Sequence, residues 1–499
     1  MKARLPDCAA PLRARIFPPD GSRRARLLLL FIALLPLGLS GCAAKRLKMD
    51  FAGFEKSYAE SSNREVLLNL ARLENRDPTY FFKIGQITST YKMAASLSGS
   101  GSYAVSSSNP NIGAPAGGGS TGITYENDPI FTFIPVNDET NAQLILKPVP
   151  QETFYILYQQ GWRVDQLVRL MVDRIELTRV SAQGCTIETI RNAPPAVHLK
   201  ADGSWDADYS RDPDTLSSYA TFLRINAVVY WLQKHGHLLL RGSSAFVPYD
   251  GNSGLDDNGT NAPKAQDVVS ASQKNAVWEH VSSKWLLGEK VFTPIFSLYP
   301  LQAVAAKPSP DIKQIKREIL ADPEMKELKQ GAVLDEILAS LTNGFSIESS
   351  SEHQDSCNSS APGAHILSAH LVMRSLIGLM AAAAQEQIPY DVLARANPTI
   401  PNSRYLPPEL QLKKLPRFME AVPAIERIPL LRLTGKAEDE LPPIIEVNYR
   451  GTDYRIADKK IAEVPDNQYW DRDMFRLIDQ LTSQVTVDIS KFPLTEILQ

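Results

Sequence analysis

The chain has 499 residues, a formal net charge of −3, 43% hydrophobic residues and four cysteines. That apolar share is enough for a sizeable core and excludes a disordered or collagen-like chain, and the length leaves room for two or three domains of ~150 residues each. The slightly acidic balance argues against nucleic acid or anionic lipid headgroups as main partners, because both select for clustered Lys and Arg.

Near the N-terminus Arg23, Arg24 and Arg26 precede an uncharged run from Leu27 to Leu39, closed by Leu39-Ser40-Gly41-Cys42. Basic, then apolar, then small residues read as a secretory signal. The run is shorter than the roughly 20 residues a spanning helix needs. The four closing residues resemble the lipobox of bacterial lipoproteins. The resemblance implies cleavage between Gly41 and Cys42 and acyl chains such as palmitate carried on Cys42. Ala43 follows, where aspartate would signal inner-membrane retention, so the resemblance implies the outer membrane and a body facing the periplasm. Ser22–Leu28 also resembles a twin-arginine export signal, although Arg26 stands where that signal has an aromatic. Loss of residues 1–41 removes seven Lys/Arg and two Asp and takes the formal charge from −3 to −8. Cys8 leaves with the signal, so Cys185 and Cys357 either form a disulfide or remain two thiols. No CxxC or Cys/His spacing offers a zinc site.

Beyond the signal, composition divides the chain at 42–135, 136–305, 306–363 and 364–499. Phe51–Asn75 has a helical stripe of Leu67, Leu70, Ala71 and others, ended at Asn75-Arg76-Asp77-Pro78. Tyr80–Ile84 reads as a strand. Tyr91–Ser106 alternates with period two, with Tyr91, Met93, Leu97 and Tyr103 sharing one parity. After a Pro/Gly/Ser tip, Ile123, Tyr125, Phe131 and Phe133 share another. Together they predict a long β-hairpin. Three uses fit it: a hairpin of its own domain, an arm to a subunit or partner, or one ribbon of an oligomeric pore. Predicted next are helices at Glu152–Gln160, Val164–Ile175, Asp214–Lys234 and Gln266–Val281, with strands at Leu238–Arg241 and Lys290–Leu298 and a loop at Asp250–Lys264. Helices at Ile312–Leu320 and Val333–Leu341, a Ser-rich insert at Ser349–Ala361 and a long helix at His365–Glu386 follow. Strands at Leu430–Leu433 and Ile444–Tyr449, the latter in a hairpin with Tyr454–Ile456, a helix at Asn467–Thr482 and a strand at Val485–Ile489 complete a multi-domain α+β fold with a carboxy-terminal α+β domain.

Asn69-Leu70-Ala71-Arg72-Leu73 with Arg76-Asp77-Pro78, Gly161-Trp162, Arg374-Ser375-Leu376, and Tyr449-Arg450-Gly451 followed by Tyr454-Arg455-Ile456 and Asp458 form a set of short motifs. By them the chain resembles an uncharacterised family of Gram-negative envelope lipoproteins. The resemblance spans most of the chain after Cys42 and implies no activity.

Chemistry is sparse. His235-Gly236-His237 could offer imidazoles to a metal, but a histidine at a helix end more commonly meets the last carbonyls. His365 and His370 fall on different faces of the predicted helix. Asp250, Asn252, Asp256 and Asp257 crowd one loop without the glutamate a calcium loop needs. Neither a nucleophile elbow nor a phosphate loop occurs. Clustered carboxylates at Glu438-Asp439-Glu440 and Asp471/Asp473 carry no spacing signature. Arg374 in an apolar helix should either reach for solvent or pair with a buried carboxylate, and the ion pair is the better expectation. Tyr449, Arg450 and Tyr454 are the types enriched at binding anchors, or they belong to a hairpin packed on the last helix. The sequence therefore predicts a protein that works by binding rather than catalysis, without cofactor or metal. Its partners are the membrane through Cys42, envelope proteins and copies of itself, and its contacts are Tyr91, Tyr103, Tyr125, Phe131, Phe133, Tyr449, Arg450 and Tyr454. A pore or secretion component and a periplasmic hydrolase are the alternatives.

Overall fold

A computed structural model of the chain describes residues 51–100, 118–135, 143, 145–181, 184–203, 205–206, 213–249, 255–256, 263–272, 276–281, 284–298, 311–330, 333–348, 365–396, 417–433, 443–458 and 462–486. The chain divides into two compact units, 1–63 and 64–499. In the first, residues 51–63 are helical, and Lys56 faces Glu60 one turn on at 3.8 Å.

The second unit is an α+β fold. It begins with α1 (64–74), β1 (Phe82–Ser100), β2 (Gly118–Pro135), α2 (Gln151–Gln159), α3 (Val164–Met171), β3 (Val172–Ser181) and β4 (Gly184–Arg191). The short pair β5 (His198–Leu199) and β6 (Trp205–Asp206) leads to α4 (Pro213–Lys234), β7 (Leu238–Pro248), β8 (Leu255–Asp256), α5 (Ala265–Ser272), β9 (Val277–Val281) and β10 (Lys284–Leu298). Then come α6 (Ile312–Ala321), a 3-10 stretch at Pro323–Gln330, α7 (Val333–Asn343), β11 (Phe345–Glu348) and β12 (His365–Met373). The last elements are α8 (Leu376–Gln385), α9 (Gln387–Arg395), α10 (Phe418–Ala421), β13 (Pro443–Tyr449), β14 (Thr452–Ala457) and α11 (Trp470–Thr486).

The main sheet has the order β4-β3-β12-β11-β10-β7, with β8 and β9 also on β10. Its pairs are antiparallel except β11 with β12. Because side chains alternate across a strand, one face carries Ile175, Leu177, Ala369, Leu371, Phe345 and Phe296, all buried. Helix α4 packs with α3, β4, α7 and β7. It is buried on nearly every side, from Leu216 through Phe222 and Val228 to Leu232, which is why its sequence lacks a polar stripe. One apolar cluster runs from Val66 to Leu481. The stretches expected as separate at 136–305, 306–363 and 364–499 thus contribute strands to a common sheet, β12 lying between β3 and β11.

Several expected elements change type. His365–Glu386, predicted as one helix, is strand β12 followed by helix α8. A strand in the middle of a sheet can be apolar on both faces, so its run resembles a buried helix. The break lies at Arg374-Ser375, where the Ser375 hydroxyl caps α8 by accepting from Gly378 N at 3.1 Å. The predicted helix Val164–Ile175 stops at Met171 and continues as β3, and Gln266–Val281 is α5 followed by β9. Tyr80–Ile84 is not a separate strand, since β1 runs unbroken from Phe82. Leu430–Leu433 is irregular, although the Leu433 carbonyl accepts from Arg455 N at 2.8 Å. Residues 485–486 end α11 where a strand was expected, and 487–489 lie outside the described residues. Short β8 interrupts the predicted loop 250–264. Among the described residues no helix is long and apolar enough to cross a membrane.

Candidate functional site

The expected hairpin is present as β1 and β2, two strands of 19 and 18 residues that pair with each other in a two-stranded sheet. At ~3.3 Å per residue the ribbon is about 60 Å long. Its register sets Ile87 opposite Phe131, Tyr91 opposite Asn127, Met93 opposite Tyr125 and Ala95 opposite Ile123. A bulge at Gly85 shifts the pairing between Ile84 and Gln86. An inserted residue reverses the parity of a strand, so Ile84, opposite Phe133, falls on the same face as Ile87 and Phe131. All four charged residues of the ribbon, Lys83, Lys92, Glu126 and Asp128, occupy the other face, with Lys92 directly opposite Glu126. Tyr91, Tyr125, Phe131 and Phe133 are thereby brought to one face, while Tyr103 lies outside the described residues.

Tyr449, Arg450 and Tyr454 have partners within the chain. Helix α1 ends with Arg76 in the left-handed region at φ 58°, while the Arg72 carbonyl accepts from Asp77 N at 2.8 Å. The β13–β14 turn comes against this helix end. Tyr449 Oη donates to Asp77 Oδ2 at 2.8 Å and Arg450 Nη2 to Asp77 Oδ1 at 2.9 Å. Asn75 Nδ2 donates to the buried Tyr454 hydroxyl at 2.7 Å. Two of the short motifs, Arg76-Asp77-Pro78 and Tyr449-Arg450-Gly451, are therefore halves of one clasp. β14 also meets α11, as the packed-hairpin alternative expected, but the tyrosine hydroxyls are committed to the end of α1.

A polar relay lies on the sheet face opposite Ala369 and Leu371. His370 Nδ1 is 2.8 Å from Glu348 Oε1, and His370 Nε2 is 2.9 Å from Ser368 Oγ. Ser346 Oγ donates to Glu348 Oε1 at 2.7 Å and lies 2.6 Å from His370 Nδ1. Parallel pairing of Ser346 with His370 brings these four groups together. With the proton on Nδ1, Glu348 accepts it and Nε2 is left to accept the Ser368 hydroxyl, the connectivity that activates a serine. A register shift between Ile366 and Ser368 places a bulge at Leu367, immediately before that serine. Sequence reasoning missed this group because His370 was assigned to a helix. Read as a strand, Ser368-Ala369-His370 puts serine and histidine on one face.

A second charged group lies inside the core. Arg163 grips Asp165 with Nε at 3.1 Å and Nη2 at 2.5 Å and stacks over Tyr230 at 4.3 Å. Arg169, 1% exposed, donates Nη1 to the Ile428 carbonyl at 2.8 Å and lies 5.3 Å from the Trp470 ring and 3.5 Å from Glu426 Oε2. Glu426 Oε1 accepts from Asn226 Nδ2 at 2.7 Å. Burial pushes the Glu426 carboxyl up to about 8, opposed by the Arg169 charge. Burial works against the Arg169 charge, but its acidic surroundings, with Glu426 and Glu386 among them, hold the guanidinium above its ordinary range. Arg374 forms the expected ion pair, with Glu386 Oε1 at 3.1 Å, but from the junction before α8 and not from within a helix. It also donates to the carbonyl of Asn192 and, at 3.3 Å, to that of Arg169.

The remaining candidates resolve simply. His235 Nδ1 lies 2.8 Å from the Trp231 carbonyl at the end of α4, and His237 Nε2 is 3.2 Å from Glu318. Among the described residues no group of three His, Cys, Asp or Glu side chains is placed to hold a metal. Asp471 accepts from Arg432 N and Asp473 faces Arg472, so the two carboxylates have separate partners. Gly41, Cys42, Cys357, Glu438-Asp439-Glu440 and Asp250, Asn252 and Asp257 lie outside the described residues. Cys185 sits in β4 opposite Val180. Compared with known proteins, the chain matches no family model, no curated protein and no solved structure.

Proposed function

We propose that the chain is a lipoprotein held on the outer membrane through Cys42, with its body in the periplasm, and that it works by binding envelope proteins through the β1–β2 ribbon. The ribbon is the observation that carries this reading. An isolated two-stranded hairpin is marginal in water, and both outer edges of a ribbon present unpaired N–H and C=O groups that template further pairing. Among the described residues, β1 and β2 take no third strand. A ribbon of this length with one uncharged face is suited to being completed by another chain. The clasp between Asp77 and the β13–β14 turn fixes the end of α1 just before the ribbon, so the ribbon starts from a rigid base. A photo-crosslinking residue at Tyr91 or Tyr125 is expected to give a discrete adduct in intact envelopes, whereas one at exposed Glu463 gives none. Cys42→Ser is expected to release the protein from the membrane fraction. Absence of adducts at every ribbon position would remove the reading.

The His370 relay favours a second reading, a periplasmic hydrolase with Ser368 as nucleophile, His370 as general base and Glu348 holding the imidazole. A fluorophosphonate probe should then label the purified protein at Ser368, and Ser368→Ala and His370→Gln should each abolish labelling. Unlabelled protein, or labelling that survives Ser368→Ala, sinks it.

A further inference from the structure

We infer that the strands completing the β1–β2 ribbon are those of further copies of this chain, and that the ring of ribbons forms a β-barrel through the bilayer to which Cys42 is anchored. This rests on the docking reading and names its partner. Three observations carry it.

The first is the sorting of charge. The pairing places Lys83, Lys92, Glu126 and Asp128 on one face and no charged residue on the other, which is the division a barrel makes between a wet lumen and lipid. The Gly85 bulge preserves that division, since without it Phe82 and Ile84 would fall on the face of Lys92. The second is length. Ile123 to Phe133 covers 11 residues of β2, and a tilted membrane strand needs about 9–11. Phe131 and Phe133 at the base supply the aromatic end that a membrane interface favours. The third is topology. β1 and β2 run antiparallel, so ribbons set side by side in one orientation place β2 of each copy antiparallel to β1 of the next. Head-to-tail contacts of this kind close into a ring without leaving an edge. Three features run against the pattern. Ile130 and Ile134 share the charged face, Ser89 and Asn127 share the uncharged one, and Pro129 brings no N–H to β2.

The test uses the full chain purified from envelopes in mild detergent and reconstituted into phosphatidylethanolamine/phosphatidylglycerol vesicles holding a small dye. The expected result is a ring of several copies by mass photometry, together with dye release. Met93→Lys puts a charge on the lipid face and is expected to abolish the ring and lower release at least about tenfold. Ala94→Lys, one residue on and on the lumen face, should keep the ring and shift ion selectivity toward anions. A monomer in detergent without release overturns the barrel, as does equal loss or equal retention in both variants. Crosslinks from Tyr91 or Tyr125 to a different envelope protein would overturn the barrel while leaving the docking reading intact. A monomer that also gives no crosslink at any ribbon position would remove both.

Discussion

Arg169→Ala is expected to lower the unfolding free energy by about 3–5 kcal/mol, the range reached when a buried, hydrogen-bonded side chain is truncated in a core that cannot collapse around it. Arg169 is among the largest fully buried side chains of the protein, and three losses coincide when it is removed. The Ile428 carbonyl loses its donor at 2.8 Å, and an orphaned buried acceptor costs about 1–3 kcal/mol. The Trp470 face loses the guanidinium 5.3 Å from its centroid, a contact worth up to ~2 kcal/mol when desolvated. A void the size of the side chain opens where α3, the 424–430 segment and the start of α11 meet. Arg169→Met fills most of that void and restores apolar contact with Trp470 but leaves the carbonyl unsatisfied, so it should cost about half as much. Urea unfolding followed by tryptophan fluorescence and by circular dichroism measures both. A cost below about 1 kcal/mol for the alanine variant would mean that water or a neighbour replaces the guanidinium, and that the core is looser than its burial implies.

Where the sequence was legible, the period of the pattern decided it. The stripe of Leu67, Leu70 and Ala71 marks α1, strict alternation marks β1, and Tyr449-Arg450-Gly451 between alternating residues marks the β13–β14 turn, where Arg450 takes a φ of 52°. Period fails where both faces are covered. Ile366–Met373 is central to the sheet, and the alanines that follow in α8 make the whole run look helical. The one local signal of the break, serine with a glycine three residues on, is weak beside the fourteen apolar residues of His365–Glu386. Sites were less legible than elements because their partners are remote. Tyr449 is 372 residues from the Asp77 it binds, and the carboxylate beside Arg169 arrives from residue 426. A lone arginine in an apolar helix reads either as a side chain reaching for solvent or as half of a buried ion pair, and the sequence does not name the partner. Only the assembled core shows Arg169 turned inward onto Trp470 and the Ile428 carbonyl.

The same interior should make stability fall as pH rises, with Glu426 as the source. Its carboxyl is pushed from an ordinary 4.5 to about 8, chiefly by burial, with Arg169 opposing the rise and Asp165 adding to it. Between those two values the folded protein holds a proton that the unfolded chain has lost, so folding takes up a proton. The contribution is complete below about pH 4.5 and is lost as pH climbs through about 8. Each tenfold difference in proton affinity between the folded and unfolded chain is worth ~1.4 kcal/mol, so the loss across the window amounts to a few kcal/mol. Glu65, Glu74, Glu386 and Asp473 are also raised by burial and act in the same direction, whereas Asp466 is held below its ordinary value by Lys234 and Tyr230 despite its partial burial and acts in the opposite one. The difference between the native protein and Glu426→Gln isolates the one carboxyl, because the amide oxygen can still accept from Asn226 Nδ2 and cannot titrate. That difference should decline steadily from pH 5 to 8 and flatten above it. In an Arg169→Ala background the decline should run on to higher pH, since the cation that favours the ionised carboxylate is gone. Parallel curves for native and Glu426→Gln proteins across pH 5–8 would show that Glu426 does not change protonation on folding.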